Sequence, residues 1–312
     1  MGSSAAGRAP TTRSTALRRR PRGCVSSLEM AWPIVRWKKG RPSFRSAPAS
    51  GSSEFEFGCG VPAGPPRRVE VEFHIVCDPK EIARYVFCPG DHARARKIAD
   101  HFEDSYLVTD SRGYSVYSGT YQGVFVTACG TGMGGPTVAI ALEELAHMGA
   151  DTFIRVGSCG VFQHGQRPGD VIIASGTVRA GGTANAYLPP NFPAVPTFSV
   201  LRALVEAAER LEVPYRVGVG VAGDAFYAPR DPSWRQTLVQ AGLVSVEMES
   251  DTLFVVGAFR GWRTGALYAS DGTPEEVKPA WGETDFRAGE QRAIGVALEA
   301  MRALAGQDAA TG

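Results

Sequence analysis

The 312-residue sequence has no run approaching the roughly 18 consecutive apolar residues of a membrane-spanning helix, so such a helix is excluded. It has no internal repeat at solenoid period. Cysteine is scarce: the six residues at 24, 59, 77, 88, 129 and 159 form no CxxC pair and no Cys/His cluster with zinc spacing. Reduced thiols of a cytoplasmic protein are therefore expected, with Cys129 and Cys159 as small core residues. No Walker pattern is present, which disfavours a nucleoside triphosphate. What is there is ordinary for a globular protein: 44% apolar and 21% charged residues, in a chain long enough to bury a sizeable core.

The near-neutral net charge of +1 hides an asymmetry. Residues 1–70 hold thirteen Lys or Arg against four Asp or Glu, +9, which leaves 20 basic and 28 acidic residues, −8, for the remainder. An acidic body argues against nucleic acid as its partner, because phosphate-backbone binding needs a basic face. It leaves room for a small anion held by two or three arginines.

Residues 1–66 are rich in Ser, Pro, Gly, Ala and Arg, with no sustained period. Such a segment buries too little surface to offset its ordering entropy and is expected to be a disordered basic tail. A translated stretch upstream of the true start is an equal alternative, and an organelle transit peptide a weaker one, since prolines interrupt any amphipathic helix. No apolar core of signal-peptide length is found, so secretion is not expected. Residues 67–312 are expected to form one domain.

From about residue 70, continuous apolar strands alternate with helical patterns. Strands are expected at 85–88, 124–129, 152–156, 171–174, 217–221 and 265–269, and helices at 93–101, 136–148, 200–211, 249–259 and 287–304. Buried strands between helices imply a three-layer α/β/α domain with a central mixed sheet, whose ligands collect at the carboxyl ends of strands. The Gly-rich turns fall at those ends, among them Gly157-Ser158-Cys159-Gly160, which is expected to close the strand 152–156. The turn Gly130-Thr131-Gly132-Met133-Gly134-Gly135 suits close approach of backbone N–H groups to an anion, or equally a tight packing turn.

Several charged residues stand where charge is costly or unusual. Arg155 lies inside the apolar strand Phe153-Ile154-Arg155-Val156, with Ser158 just beyond, and Arg94 opens a helix after Pro89-Gly90-Asp91. A buried arginine needs a partner, so a structural salt bridge and an oxyanion site compete. Glu247-Met248-Glu249 opens an apolar helix; it reads as favourable N-terminal charge or as a carboxylate facing vicinal hydroxyls. Asp271 ends a strand before Gly272, where spacing alone suggests a turn residue.

Taken together, Pro-Gly-Asp-x-x-Arg at 89–94, Gly-Thr-Gly-Met-Gly-Gly-Pro at 130–136, Ile-Arg-Val-Gly-Ser-Cys-Gly at 154–160, Asp224-Ala225-Phe226-Tyr227 and Val246-Glu247-Met248-Glu249 resemble one family. This is the hexameric nucleoside phosphorylases, the group of uridine phosphorylase and the bacterial and malarial-type purine nucleoside phosphorylases. The resemblance covers about residues 70–305. It implies cleavage of a nucleoside by inorganic phosphate to free base and ribose 1-phosphate, with no metal or organic cofactor. It places phosphate on Gly90, Arg94, Arg155 and Ser158, joined by Arg112 from a neighbouring subunit. The nucleoside falls to Glu247, Met248, Glu249 and Phe226, with His74 lent by a neighbour. A homo-oligomer, a hexamer of dimers with shared active sites, follows.

The base is the open point. The Gln and Arg that grip uracil in uridine phosphorylases have no counterpart in register at 228–232, and Asp271 matches the general acid of the purine branch. The stretch from Asp271-Gly272 through Trp281 and Asp285-Phe286 resembles that branch's mobile loop. A purine nucleoside is thus expected, with uridine, contacted by Arg230, as the alternative. A nucleosidase would lack the arginine cradle, and a mere nucleoside-binding protein would need no acid beside the base.

Overall fold

The computed structural model describes residues 72–229 and 231–311. The expected tail, its boundary at residue 67, and Arg230 lie outside the described residues. In chain order the elements are β1 (Tyr85–Phe87), α1 (His92–Ala99), β2 (Glu103–Ser111), β3 (Tyr114–Tyr121), β4 (Val124–Gly130), α2 (Gly135–His147), β5 (Thr152–Val161), β6 (Val171–Ala180), α3 (Phe198–Arg210), β7 (Tyr215–Gly223), α4 (Pro232–Gln240), β8 (Ser245–Glu247), α5 (Ser250–Arg260), β9 (Arg263–Ser270) and α6 (Glu283–Thr311). No helix among the described residues is long and apolar enough to cross a membrane.

The strands form one mixed sheet in the order β2-β3-β4-β1-β5-β8-β7-β6-β9, and β9 pairs a second time, with β5. The chain from β5 through β8, β7, β6 and β9 thereby returns to β5. Alternate strand residues feed two separate cores. Val86 and Phe153 pack with Leu142 and Leu145 of α2 and Leu253 and Val256 of α5. Phe87 and Ile154 pack on the other face with Ile98 of α1, Leu204 of α3 and Ile294 and Met301 of α6. This is the expected α/β/α layering, and period-2 alternation through buried strands produces it.

Local signals account for the helix starts around the site. Asp91 caps α1 by accepting the Ala93 amide at 2.9 Å, and Pro136 stands in the first turn of α2 where its missing N–H costs nothing. One expectation is corrected. Gly157-Ser158-Cys159-Gly160, read as a turn that closes the strand, continues β5 to Val161. Neither glycine has a positive φ. They are small because a Cβ at Gly157 would stand 2.9 Å from the Arg155 guanidinium and 3.0 Å from the Tyr268 ring, and one at Gly160 would stand 3.0 Å from Val246. The β2–β3 hairpin, α4 and β8 were not legible as elements in the sequence.

Candidate functional site

The ends of β1, β4, β5, β8 and β9 converge around Arg155. Its side chain is buried, 5% exposed, and is held from two sides. Nε donates to Glu247 Oε2 at 2.9 Å, and Nη2 pairs with Glu249 Oε2. Nη1 is buried with no hydrogen-bond partner among the described residues. Burial works against the charge of Arg155, but Glu249 and Glu247 together outweigh it and raise the guanidinium pKa. The Arg155 guanidinium also stands 5.8 Å from the centre of the Tyr268 ring.

The two carboxylates differ in what they have left to offer. Glu247 accepts from the Glu249 amide at 3.0 Å, the Ser250 amide at 3.0 Å and Ser250 Oγ at 2.6 Å, besides Arg155. It anchors the start of α5. Glu249 accepts the Gly134 amide at 2.6 Å, which ties the Gly-rich turn to the same cluster. Burial pushes the Glu249 carboxyl above its ordinary value, against the pull of Arg155. Met248 lies between them, half-buried.

Gly90 closes another side. A Cβ there would stand 3.0 Å from the Gly132 carbonyl oxygen and 3.6 Å from Arg155 Nη1, so the missing side chain leaves the backbone open toward the unpartnered nitrogen. Arg94, on the first turn of α1, is also buried. Its Nε donates to Glu290 Oε1 at 2.6 Å and its Nη1 reaches the Val156 carbonyl at 3.4 Å. Lys97 donates to the second oxygen of Glu290 at 2.5 Å. Burial would raise the Glu290 carboxyl, yet Lys97 and Arg94 bring it below its ordinary value. Ser158 is half-buried in β5, beside Ala269 of β9.

Asp271 follows β9 directly. Its amide donates to the Cys159 carbonyl at 3.0 Å, and its Oδ2 stands 3.5 Å from Lys278 Nζ. Phe226 and Tyr227, after β7, are exposed and meet edge to face with ring centres 4.9 Å apart. His74 is engaged by α2: its Nδ1 lies 2.6 Å from Glu144 Oε1, its amide donates to Glu144 Oε2, and its ring stands edge-on to Tyr114. Arg112 sits exposed at the tip of the β2–β3 hairpin with a φ of 49°. The geometry thus gathers Arg155, Glu247 and Glu249 in direct contact, with Gly90 beside them. His74, edge-on to Tyr114, and Arg112 belong to a second group, toward the tip of that hairpin.

Two residues escaped sequence reasoning. Glu290 carried a signal: with Ala293, Ile294, Ala297 and Met301 it occupies the buried stripe of α6, where a carboxylate needs a partner. Lys278 carried none in the sequence; only the fold of the loop brings it to Asp271.

Residues 84–304 match the family described as the phosphorylase superfamily. The chain is 40% identical over 253 residues to a uridine phosphorylase of Thermococcus kodakarensis, covering 76% of this chain and 88% of the relative. It is 41% identical over 251 residues to a uridine phosphorylase of Treponema pallidum, 77% and 96% of the two chains. A guanosine phosphorylase of Halorubrum lacusprofundi is 35% identical over 240 residues, 74% and 98%. The crystal structure of a uridine phosphorylase from Vibrio fischeri superposes with a TM-score of 0.71 at 31% identity, over 74% of this chain and 97% of that one. The fold, the ring of strand ends around Arg155 and these likenesses agree: this chain belongs to the phosphorylase superfamily.

Proposed function

We propose that the chain is a nucleoside phosphorylase that transfers the ribosyl group of a nucleoside to inorganic phosphate, without metal or organic cofactor. The observation that carries this reading is the unpartnered Nη1 of buried Arg155, facing the open backbone of Gly90 and flanked by Glu249. Phosphate would sit there, with Arg94 and Ser158 as further donors and Arg112 supplied by a neighbouring copy. The C1′–N bond breaks with its electron pair passing to the base, and a phosphate oxygen bonds to C1′. Positive charge develops on the ribose between those events, and fixed donors below C1′ hold the nucleophile against it. Glu249 would accept the ribose 2′ and 3′ hydroxyls while Met248 packs on the sugar and Phe226 on the base. Glu247, whose oxygens are occupied, would position Arg155 and not touch the nucleoside.

Uridine is the favoured base, because the relatives at 40% and 41% identity are named uridine phosphorylases. A 6-oxopurine nucleoside is the second reading, favoured by Asp271 and by the guanosine phosphorylase at 35% identity. The purine preference expected from the sequence gives way to this order. An assay of uridine, inosine and guanosine with and without phosphate tests it. Phosphate-dependent release of free base and ribose 1-phosphate is expected, fastest with uridine. Release without phosphate would mean a nucleosidase, and no release a binding protein.

A homo-oligomer in the cytoplasm, a hexamer whose sites are completed by His74 and Arg112 of a neighbouring copy, goes with this reading, and an active monomer by light scattering would refute it. A chain starting at residue 67 should keep full activity and melting temperature.

A further inference from the structure

The segment after β9 is held in one shape by its own bonds. Gly272 bridges Val277, the Thr273 amide donates to the Glu276 carbonyl at 2.8 Å, and Thr273 Oγ1 accepts the amides of Glu275 and Glu276. From outside, Arg235 of α4 donates to the Pro274 carbonyl at 2.6 Å. A Cβ at Gly272 would stand 2.7 Å from the Glu276 carbonyl oxygen, so the turn closes too tightly for a side chain there.

This turn forces Lys278 into the left-handed region, with a φ of 50°. Glycine adopts that conformation freely, whereas other residues are strained in it. The strained position has a chemical result: it carries the Lys278 ammonium back to 3.5 Å from Asp271 Oδ2, at the end of β9. Asp104, Arg112, Gln122 and Glu212 adopt the same conformation, and Lys278 differs from them in standing beside Asp271 at the strand ends.

An ammonium has three N–H donors and no acceptor. Asp271 takes one. The Lys278 side chain is 64% exposed, which leaves the others open to a ligand beside Asp271. We propose that Lys278 determines base specificity by donating to the carbonyl oxygen at C4 of a leaving pyrimidine or C6 of a leaving purine. Bases with that oxygen, whether uracil or a 6-oxopurine, are accepted. Their amino counterparts, cytosine and adenine, oppose a donor with a donor and are rejected.

The contribution grows as the reaction proceeds. When the C1′–N electron pair passes to the base, the negative charge spreads onto that oxygen, and the ammonium stabilises it while keeping its own proton. This inference rests on the nucleoside phosphorylase reading of the site.

The test compares matched pairs, uridine with cytidine and inosine with adenosine, in the wild-type chain, Lys278→Met, Lys278→Arg and Lys278→Gly. Lys278→Met should lower kcat/KM on the oxo nucleosides by about 10- to 100-fold, change the amino nucleosides little, and leave the melting temperature unaltered. Lys278→Arg should restore part of the loss, whereas Lys278→Gly, which relieves the strain but lacks the donor, should not. An unchanged oxo-to-amino ratio in Lys278→Met, or an equal loss on both members of a pair, would overturn the proposal. Calorimetric binding of the free bases separates this outcome from failure of the functional reading. If no nucleoside is cleaved by the wild type, that reading falls. Tighter binding of uracil over cytosine, or hypoxanthine over adenine, that disappears in Lys278→Met would still uphold the role of Lys278, and its absence would refute it.

Discussion

Arg155 and Glu249 form an ion pair in which each side chain is only 5% exposed, yet among the described residues Nη1 of the arginine has no hydrogen-bond partner. Glu247 holds Nε, so the guanidinium is fixed in place by two carboxylates while one donor stays unspent. A buried donor without a partner costs about 1–3 kcal/mol in an empty protein. An anion that satisfies it recovers that cost on binding.

The first prediction follows from this arrangement. Arg155→Lys keeps a charge but loses the fork that reaches Glu247, Glu249 and Nη1's position at once. Steady-state kinetics should show a raised phosphate KM and a turnover reduced by at least ~10²-fold. Phosphate dependence equal to wild type in the folded variant would remove Arg155 from the cradle.

A second prediction concerns Glu290, which braces Arg94 and Lys97 from α6. Glu290→Ala leaves Arg94 buried and unpaired, a change that typically costs about 3–5 kcal/mol. The phosphate KM should rise in Glu290→Gln while the nucleoside KM stays near wild type. Because the folded carboxyl lies below its ordinary 4.5, its stabilising contribution is complete above that value and fades as the pH falls further. Acid melts of the wild type and Glu290→Gln should therefore converge at low pH, and curves that stay parallel would refute the linkage.

Asp251 behaves in the opposite sense. Burial in the first turn of α5 pushes its carboxyl up to about 6 from an ordinary 3.8, against the amide of Thr252, which lowers it. Between those values the folded chain holds a proton that the unfolded chain has lost. Stability from this group is greatest at the acid end and falls as the pH rises from about 4 to about 6, by about 3 kcal/mol at most. Asp251→Asn should flatten that segment of the pH–stability curve. A difference curve with no slope there would show that Asp251 stays ionised in the folded protein.

Gly157 offers a test in which activity and stability part company. Gly157→Ala puts a methyl group 2.9 Å from Arg155 Nη2, so phosphorolysis should drop on the order of 10-fold or more, with overpacking of about 1–3 kcal/mol in the melt. Gly306→Ala, in α6 with open space around it, is the control and should stabilise by about 1 kcal/mol without changing the kinetics. Equal activities in the two variants would mean that the guanidinium is not held where phosphorolysis requires it.

How much the sequence disclosed depended on distance along the chain. The capped start of α1 after Gly90, the Pro136 entry to α2 and the arginine inside an apolar strand were local signals, and the layered sheet followed from them. Arg94 and Glu290 are 196 residues apart, and Arg155 and Glu247 are 92 apart. Only the folded sheet brings such partners together. The glycines at 157 and 160 misled because a missing side chain looks the same in a tight turn and in a crowded strand. Lys278 stayed hidden because its role depends on a backbone conformation that no residue type in its neighbourhood announces.

The double pairing of β9 has a consequence for how copies of this protein can associate. Since β9 returns to β5, eight of the nine strands among the described residues have a paired neighbour on both sides over at least part of their length, and only β2 has one side open from end to end. Strand-to-strand growth between molecules needs two open rims per unit to propagate. A sheet with a single rim can add one partner through β2 and is then capped. Among the described residues β2 is thus the strand most open to a single pairing partner, and Tyr106 and Leu107 on it are exposed.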